Sequence, residues 1–123
     1  MIVIVCGGRE YGDAVSLNAA LDALHSRKPI STLIEGGAKG ADSLAGAWAS
    51  SRGVYRVTVH ANWEKHGNGA GPRRNSQMMT FGSYLACDAQ CDLGVVAFPG
   101  GSGTADMKRQ AKVAGLTVWE PIK

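Results

Sequence analysis

The chain contains no apolar stretch near the roughly 18 residues that a membrane span requires, which argues against a membrane partner. It is also poor in cysteine, with three in 123 residues. An odd number without framework spacing excludes a disulfide-stapled secreted domain and predicts a reduced, cytoplasmic protein. Cys87 and Cys91 are separated by three residues, not the two of a common zinc or redox pair. Together with His25, His60 and His66 they form no ligand spacing, so neither a metal nor a cofactor is expected. The opening Met-Ile-Val-Ile-Val-Cys-Gly-Gly lacks the basic segment of a secretory leader and reads as a first strand. Charge is sparse as well: 19% of residues, net +3, with a pI near 8.9. That balance suits small anionic ligands and lacks the dense basic face of a nucleic-acid-binding domain. Glycine is plentiful, 17 of 123 residues, about twice the usual share. It clusters just after apolar runs, where it shapes loops.

A chain of this length suits one compact domain, spanning residues 1–123. Five short runs rich in Val and Ile read as buried parallel strands: Ile2–Cys6, Thr32–Glu35, Tyr55–Val59, Leu93–Phe98 and Leu116–Trp119. Helical patterns lie between them. Asp13 is placed to cap a helix with Ala14, Leu17, Leu21 and Leu24 on one face. A second carries Ala41, Leu44, Ala45 and Trp48, with Gly53 just past its end. A third is expected to begin at Pro72 and run through Met78 and Met79 towards Leu85. A fourth starts near Ser102 or Thr104, buries Met107, Ala111 and Ala114, and stops at Gly115. Residues 60–71 read as one long irregular loop, a length that usually carries function. The alternation predicts an α/β fold: a single Rossmann-like, three-layer domain of about five parallel strands with helices on both faces.

Three glycine-rich turns follow three of these strands and should meet at the carboxyl edge of the sheet, where such folds bind ligands. They are Gly7-Gly8-Arg9, Glu35-Gly36-Gly37-Ala38-Lys39 and Pro99-Gly100-Gly101-Ser102-Gly103-Thr104. The second and third open helices, and a helix N-terminus offers free N–H groups and partial positive charge to a phosphate. Arg73 and Arg74 stand in the first turn of the third helix, against the dipole, a placement that suits a bound anion. Asn75 follows them. Glu35 is either a ribose-hydroxyl acceptor or an exposed strand end. Asp106 is either dipole-favoured decoration or a carboxylate facing a sugar, and Asp42 reads more simply as decoration. Trp63 stacks on a base or covers the pocket, whereas Trp48 reads as core.

Pro99-Gly100-Gly101-Ser102-Gly103-Thr104 resembles the signature of the SLOG superfamily, which includes the Lonely Guy phosphoribohydrolases and the DNA-processing proteins. Gly36-Gly37-Ala38-Lys39-Gly40-Ala41-Asp42 resembles that group's second glycine turn. Gly8-Arg9-Glu10-Tyr11 and Gly71-Pro72-Arg73-Arg74-Asn75 resemble a small, uncharacterised branch of it. The resemblance implies a domain that binds a nucleotide or nucleotide-derived phosphate ligand, as sensor or sequestering protein. It also implies an alternative, cleavage of the N-glycosidic bond of a nucleoside monophosphate, with Arg74 (or Arg73) and Asp106 in the catalytic places. Asp106 stands where those enzymes carry glutamate. A carboxylate drawn back by about 1 Å can cost about 10²-fold in rate, which puts binding ahead of turnover. The DNA-processing relatives imply a third reading, single-stranded nucleic-acid binding. Relatives also imply a homodimer or larger assembly, through a helix whose Met78, Met79, Phe81, Tyr84 and Leu85 exceed one buried face.

Overall fold

The computed structural model describes residues 1–122. Its strands are β1 (Ile2–Cys6), β2 (Thr32–Glu35), β3 (Tyr55–Thr58), β4 (Leu93–Ala97) and β5 (Thr117–Trp119). They form one parallel sheet in the order β3-β2-β1-β4-β5. β1 lies at the centre, with Val3 opposite Leu33 on one side and Gly94 on the other. The helices are α1 (Ala14–Arg27), α2 (Ala41–Ser51), α3 (Trp63–His66), α4 (Ala70–Ala89) and α5 (Ser102–Val113). This is the expected Rossmann-like α/β architecture.

The alternation of β1 divides the core. Val3, Val5 and Leu33 pack with Leu17 and Leu21 of α1 and Trp48 of α2. Ile2, Ile4 and Ile34 point the other way, onto Met78 of α4 and Met107 of α5. Fully burying an aliphatic side chain of this kind contributes about 1.5–3 kcal/mol, so each face anchors its own pair of helices. The capping carboxylate of Asp13 accepts from the Ser16 backbone N–H at 3.0 Å, and Gly53 (φ 70°) lets the chain leave α2.

Three expectations need correction. Residues 60–71 are not an irregular loop: Asn62 caps α3 by accepting from the Lys65 N–H at 3.0 Å, a 3₁₀ turn covers Gly67–Gly69, and α4 begins at Ala70, ahead of Pro72. Proline is tolerated there because a first-turn N–H has no helical partner to lose. β3 and β5 are edge strands with exposed or half-buried side chains, Tyr55 being 79% exposed, rather than buried ones. Ala114 is exposed, because α5 ends at Val113 and Ala114 is only its C-cap.

The chain steps outward from β1 to β2 to β3, with α1 and α2 on one face. It then crosses to the other side of β1 for β4 and β5, with α4 and α5 on the opposite face. The order therefore reverses between β1 and β4, and the crevice at their carboxyl ends is the position at which such sheets bind ligands.

Candidate functional site

The three glycine turns interlock at that crevice. The Gly8 N–H donates to the Pro99 carbonyl at 2.8 Å, and the Gly8 carbonyl accepts from Tyr11 and Ala41, each at 3.2 Å. Gly40 precedes α2 at φ 74°, a left-handed conformation that glycine adopts without penalty. A side chain there would collide with the carbonyls of Gly8 and Arg9. A methyl group on Gly100 would lie 2.6 Å from the Gly8 nitrogen and against the Thr104 hydroxyl. The turns have room only for each other's backbone.

The third turn opens outward at α5. Gly101 caps the helix without any side-chain hydrogen bond, and Gly101, Ser102 and Gly103 are exposed. Added Cβ atoms at Gly101 and Gly103 would meet nothing within 4 Å. The first N–H groups of this helix have no side-chain cap, and the partial positive charge of the dipole lies behind them. Thr104, expected to present its hydroxyl to a ligand, is instead 6% exposed and lies behind Gly100. It supports the turn from within.

The second turn is built over a buried carboxylate. Glu35 is fully buried, so it is not an exposed strand end. One of its oxygens accepts from the Gly37 N–H at 2.5 Å, the other from Thr58 Oγ1 at 2.6 Å and Arg56 Nε at 3.0 Å. With its oxygens held by these donors, it shapes the Gly36-Gly37 turn and does not face a ribose. Asp42 is not surface decoration either. It is buried at the start of α2 and accepts from the Ala38 N–H at 3.2 Å. Burial pushes its carboxyl up to about 6, against the opposing pull of backbone N–H groups and Arg74. Gly7 and Gly8 are half-buried in the interlock, whereas Lys39, Pro99 and Gly100 are exposed at the edge.

The first turns of α4 bring the basic segment to the same edge. Arg74 donates through Nη1 to the Gly36 carbonyl at 2.6 Å and through Nε to Asn75 Oδ1 at 3.1 Å. Asn75 is 3% exposed, and its Nδ2 donates to the Gly103 carbonyl at 3.1 Å and to Asp106 Oδ2 at 3.0 Å. Arg74 and Asp106, paired by resemblance, are thus joined through one buried amide. Gln110 adds a bond to Asp106 Oδ2 at 2.8 Å and Arg109 one to Oδ1 at 3.0 Å. Sequence reasoning missed both, although three- and four-residue spacings along a helix place them beside Asp106. Arg73 is exposed next to this network.

Two aromatic groups complete the edge. Trp63, on α3, is 48% exposed, with the Arg9 guanidinium 5.3 Å from its ring centroid. Tyr11 packs on Phe98 at 5.5 Å between centroids, and among the described residues its buried hydroxyl has no hydrogen-bond partner. Among the described residues no three His, Cys, Asp or Glu side chains converge as a metal site would require, and no helix is long and apolar enough to cross a membrane.

Three comparisons bear on this arrangement. The fold is similar to the X-ray structure of DNA processing protein A (DprA) from Streptococcus pneumoniae, with a TM-score of 0.53 and 17% identity. That match takes in 94% of this chain but 57% of the other, so this chain spans little more than half of that protein. The Gene 61 protein of Mycobacterium phage D29 is 34% identical over 124 aligned residues, 94% of this chain and 92% of the relative. Residues 1–66, from β1 through α3 and both N-terminal glycine turns, match the model of YAcAr, the YspA, cpYpsA-related SLOG family. The chain belongs to that family.

Proposed function

We infer that the protein binds a nucleotide or nucleotide-derived phosphate ligand at the β1/β4 crevice, as a sensor or sequestering protein. The observation that carries this reading is the N-terminus of α5. It is uncapped, exposed and bare of side chains at Gly101 and Gly103, and it opens at the topological switch point. A phosphate oxygen seated there accepts from backbone N–H groups. Arg74, held on the Gly36 carbonyl, supplies compensating charge, with Arg73 and Lys39 exposed beside it. Gly37 is exposed on the opposite wall, whereas Gly36 is buried beneath the Arg74 guanidinium.

The competing reading is hydrolysis of an N-glycosidic bond, through an oxocarbenium-like state stabilised by a carboxylate. The geometry favours binding, because Asp106 already accepts from Asn75, Gln110 and Arg109. A carboxylate so occupied has little capacity left for a water or a sugar.

The experiment is ligand-observed proton NMR on nucleoside monophosphates, ADP-ribose, NAD, cyclic dinucleotides and a short single-stranded oligonucleotide. Saturation transfer without new signals is the expected result. Anomeric signals of a freed sugar would make the protein a hydrolase, and Asp106→Asn should then stop turnover while sparing binding. No transfer from any of these ligands would remove the site.

A further inference from the structure

We propose that Trp63 is the stacking platform for the nucleobase of the bound ligand, and that the Arg9 guanidinium holds the place of that base on the indole ring. This rests on the phosphate site inferred at α5.

Trp63 is a large aromatic side chain left 48% exposed in a small domain, and it stands at the carboxyl edge. Its position follows from α4. A methyl group added to Gly71 would lie 3.4 Å from the Trp63 ring. Gly71, Arg74 and Asn75 are three and four residues apart, so they share one face of the helix. That face is the one turned to the site: Arg74 reaches the Gly36 carbonyl and Asn75 the first turn of α5. Trp63 therefore stands on the site side of α4, against Gly71, which lies about one helical turn before Arg74.

The ring is covered by a group that belongs to another element. Arg9 comes from the turn after β1, whereas Trp63 follows β3, and β2 lies between those strands. The pair thus joins the turn after β1 to the helix after β3. A planar guanidinium over an indole is attractive by about 0.5–1 kcal/mol at an exposed site. A nucleobase stacked on an aromatic ring gains about 1–3 kcal/mol. A base delivered by a phosphate anchored at α5 can therefore replace Arg9. Stacking reads no hydrogen-bonding edge, so the platform accepts any base and leaves discrimination to the phosphate and sugar contacts. The same chemistry is offered by a free mononucleotide or by one nucleotide of a single strand.

The test compares the four nucleoside monophosphates, ribose 5-phosphate and a short single-stranded oligonucleotide, titrated into the wild type, Trp63→Ala and Trp63→Phe. The expected result is an affinity for the monophosphates about 2- to 70-fold lower in Trp63→Ala, the stacking gain less the Arg9 contact that it displaces. Affinity for ribose 5-phosphate should be unchanged, and Trp63→Phe should retain most of the wild-type affinity. A loss seen with the oligonucleotide while no monophosphate binds the wild type would keep the platform and assign the base to a strand. Equal losses for ribose 5-phosphate and the monophosphates, or no loss for either, would overturn the stacking role. Absence of binding by every probe to the wild type would instead overturn the phosphate site itself, and this proposal with it.

Discussion

At Gly101 a side chain would enter open space, and at Gly100, one residue earlier, it would strike Thr104 and the Gly8 nitrogen. The two positions therefore separate ligand contact from folding. Gly101→Val should keep the melting temperature within a few degrees, as surface substitutions of about 0.5 kcal/mol do, while abolishing nucleotide binding. Gly100→Ala should lower stability by about 1–3 kcal/mol through overpacking. Parallel thermal melts and titrations check both, and unchanged affinity in Gly101→Val would take the third turn out of the site. Asp42 supplies a pH signature. Its folded-state value of about 6 exceeds the ordinary carboxyl value of 3.8. The folded protein thus binds more protons than the unfolded chain between those limits. The contribution of Asp42 to stability is fully present below about pH 4 and is lost as pH rises through 6. Relative to Asp42→Asn, the wild type should gain about 3 kcal/mol from pH 7 to pH 4, because each pH step between the two carboxyl values is worth about 1.4 kcal/mol. Urea unfolding at several pH values measures the difference, and parallel curves for the two proteins would refute it.

At the scale of elements, the second turn depends on a strand, a helix and one arginine. Arg56 leaves β3, crosses α2 at Gly46 and reaches Glu35. Alanine is ordinarily the better helix residue by about 1 kcal/mol. Here a methyl group would collide with the guanidinium and pull it from a fully buried carboxylate. Removing one partner of a fully buried pair costs about 3–5 kcal/mol, and Arg56 is partly exposed. Gly46→Ala should therefore destabilise by about 1–3 kcal/mol, read from the urea midpoint. A more stable variant would show that Arg56 has another route. This arrangement is not legible in the sequence, because a glutamate ending a strand reads the same whether it meets water or a cation folded back from 21 residues away. The strands and four long helices are legible because their Val/Ile runs and 3.6-residue periodicity are local. So is the meeting of three glycine turns, which follows from parallel order alone. The helix α3 is hidden by the glycines around it, although Asn62 before Trp63-Glu64 is a capping signal. Asn75 joining Arg74 to Asp106 is a contact across 31 residues that no spacing rule reports.

At the scale of the whole molecule, the apolar surplus of α4 is smaller than its sequence suggests. Met78 and Met79 are core, leaving Phe81 at 42% and Tyr84 at 79% exposed, near Val113 of α5 at 86%. Phe81 and Tyr84 border a shallow hollow of about 410 Å³ on α4 itself, and Val113 borders a second of about 410 Å³ between α4 and α5. A homodimer through this face is the expected state in light scattering, with Tyr84→Asp shifting it to monomer. A monomeric wild type would refute it.

The division of the core by β1 reaches beyond ligand binding. The layer of α1 and α2 comes from residues before 60, and the layer of α4 and α5 from residues after 69. β1 nevertheless pairs with β2 on one side and β4 on the other. A backbone cut at Gly67–Gly69 would yield two pieces, each carrying one helical layer and each leaving an apolar sheet face or an unpaired strand edge bare. Neither piece should hold its shape in isolation, and mixing them should regenerate the sheet around β1. On this prediction the domain is a self-complementing pair joined through α3 and the 3₁₀ turn.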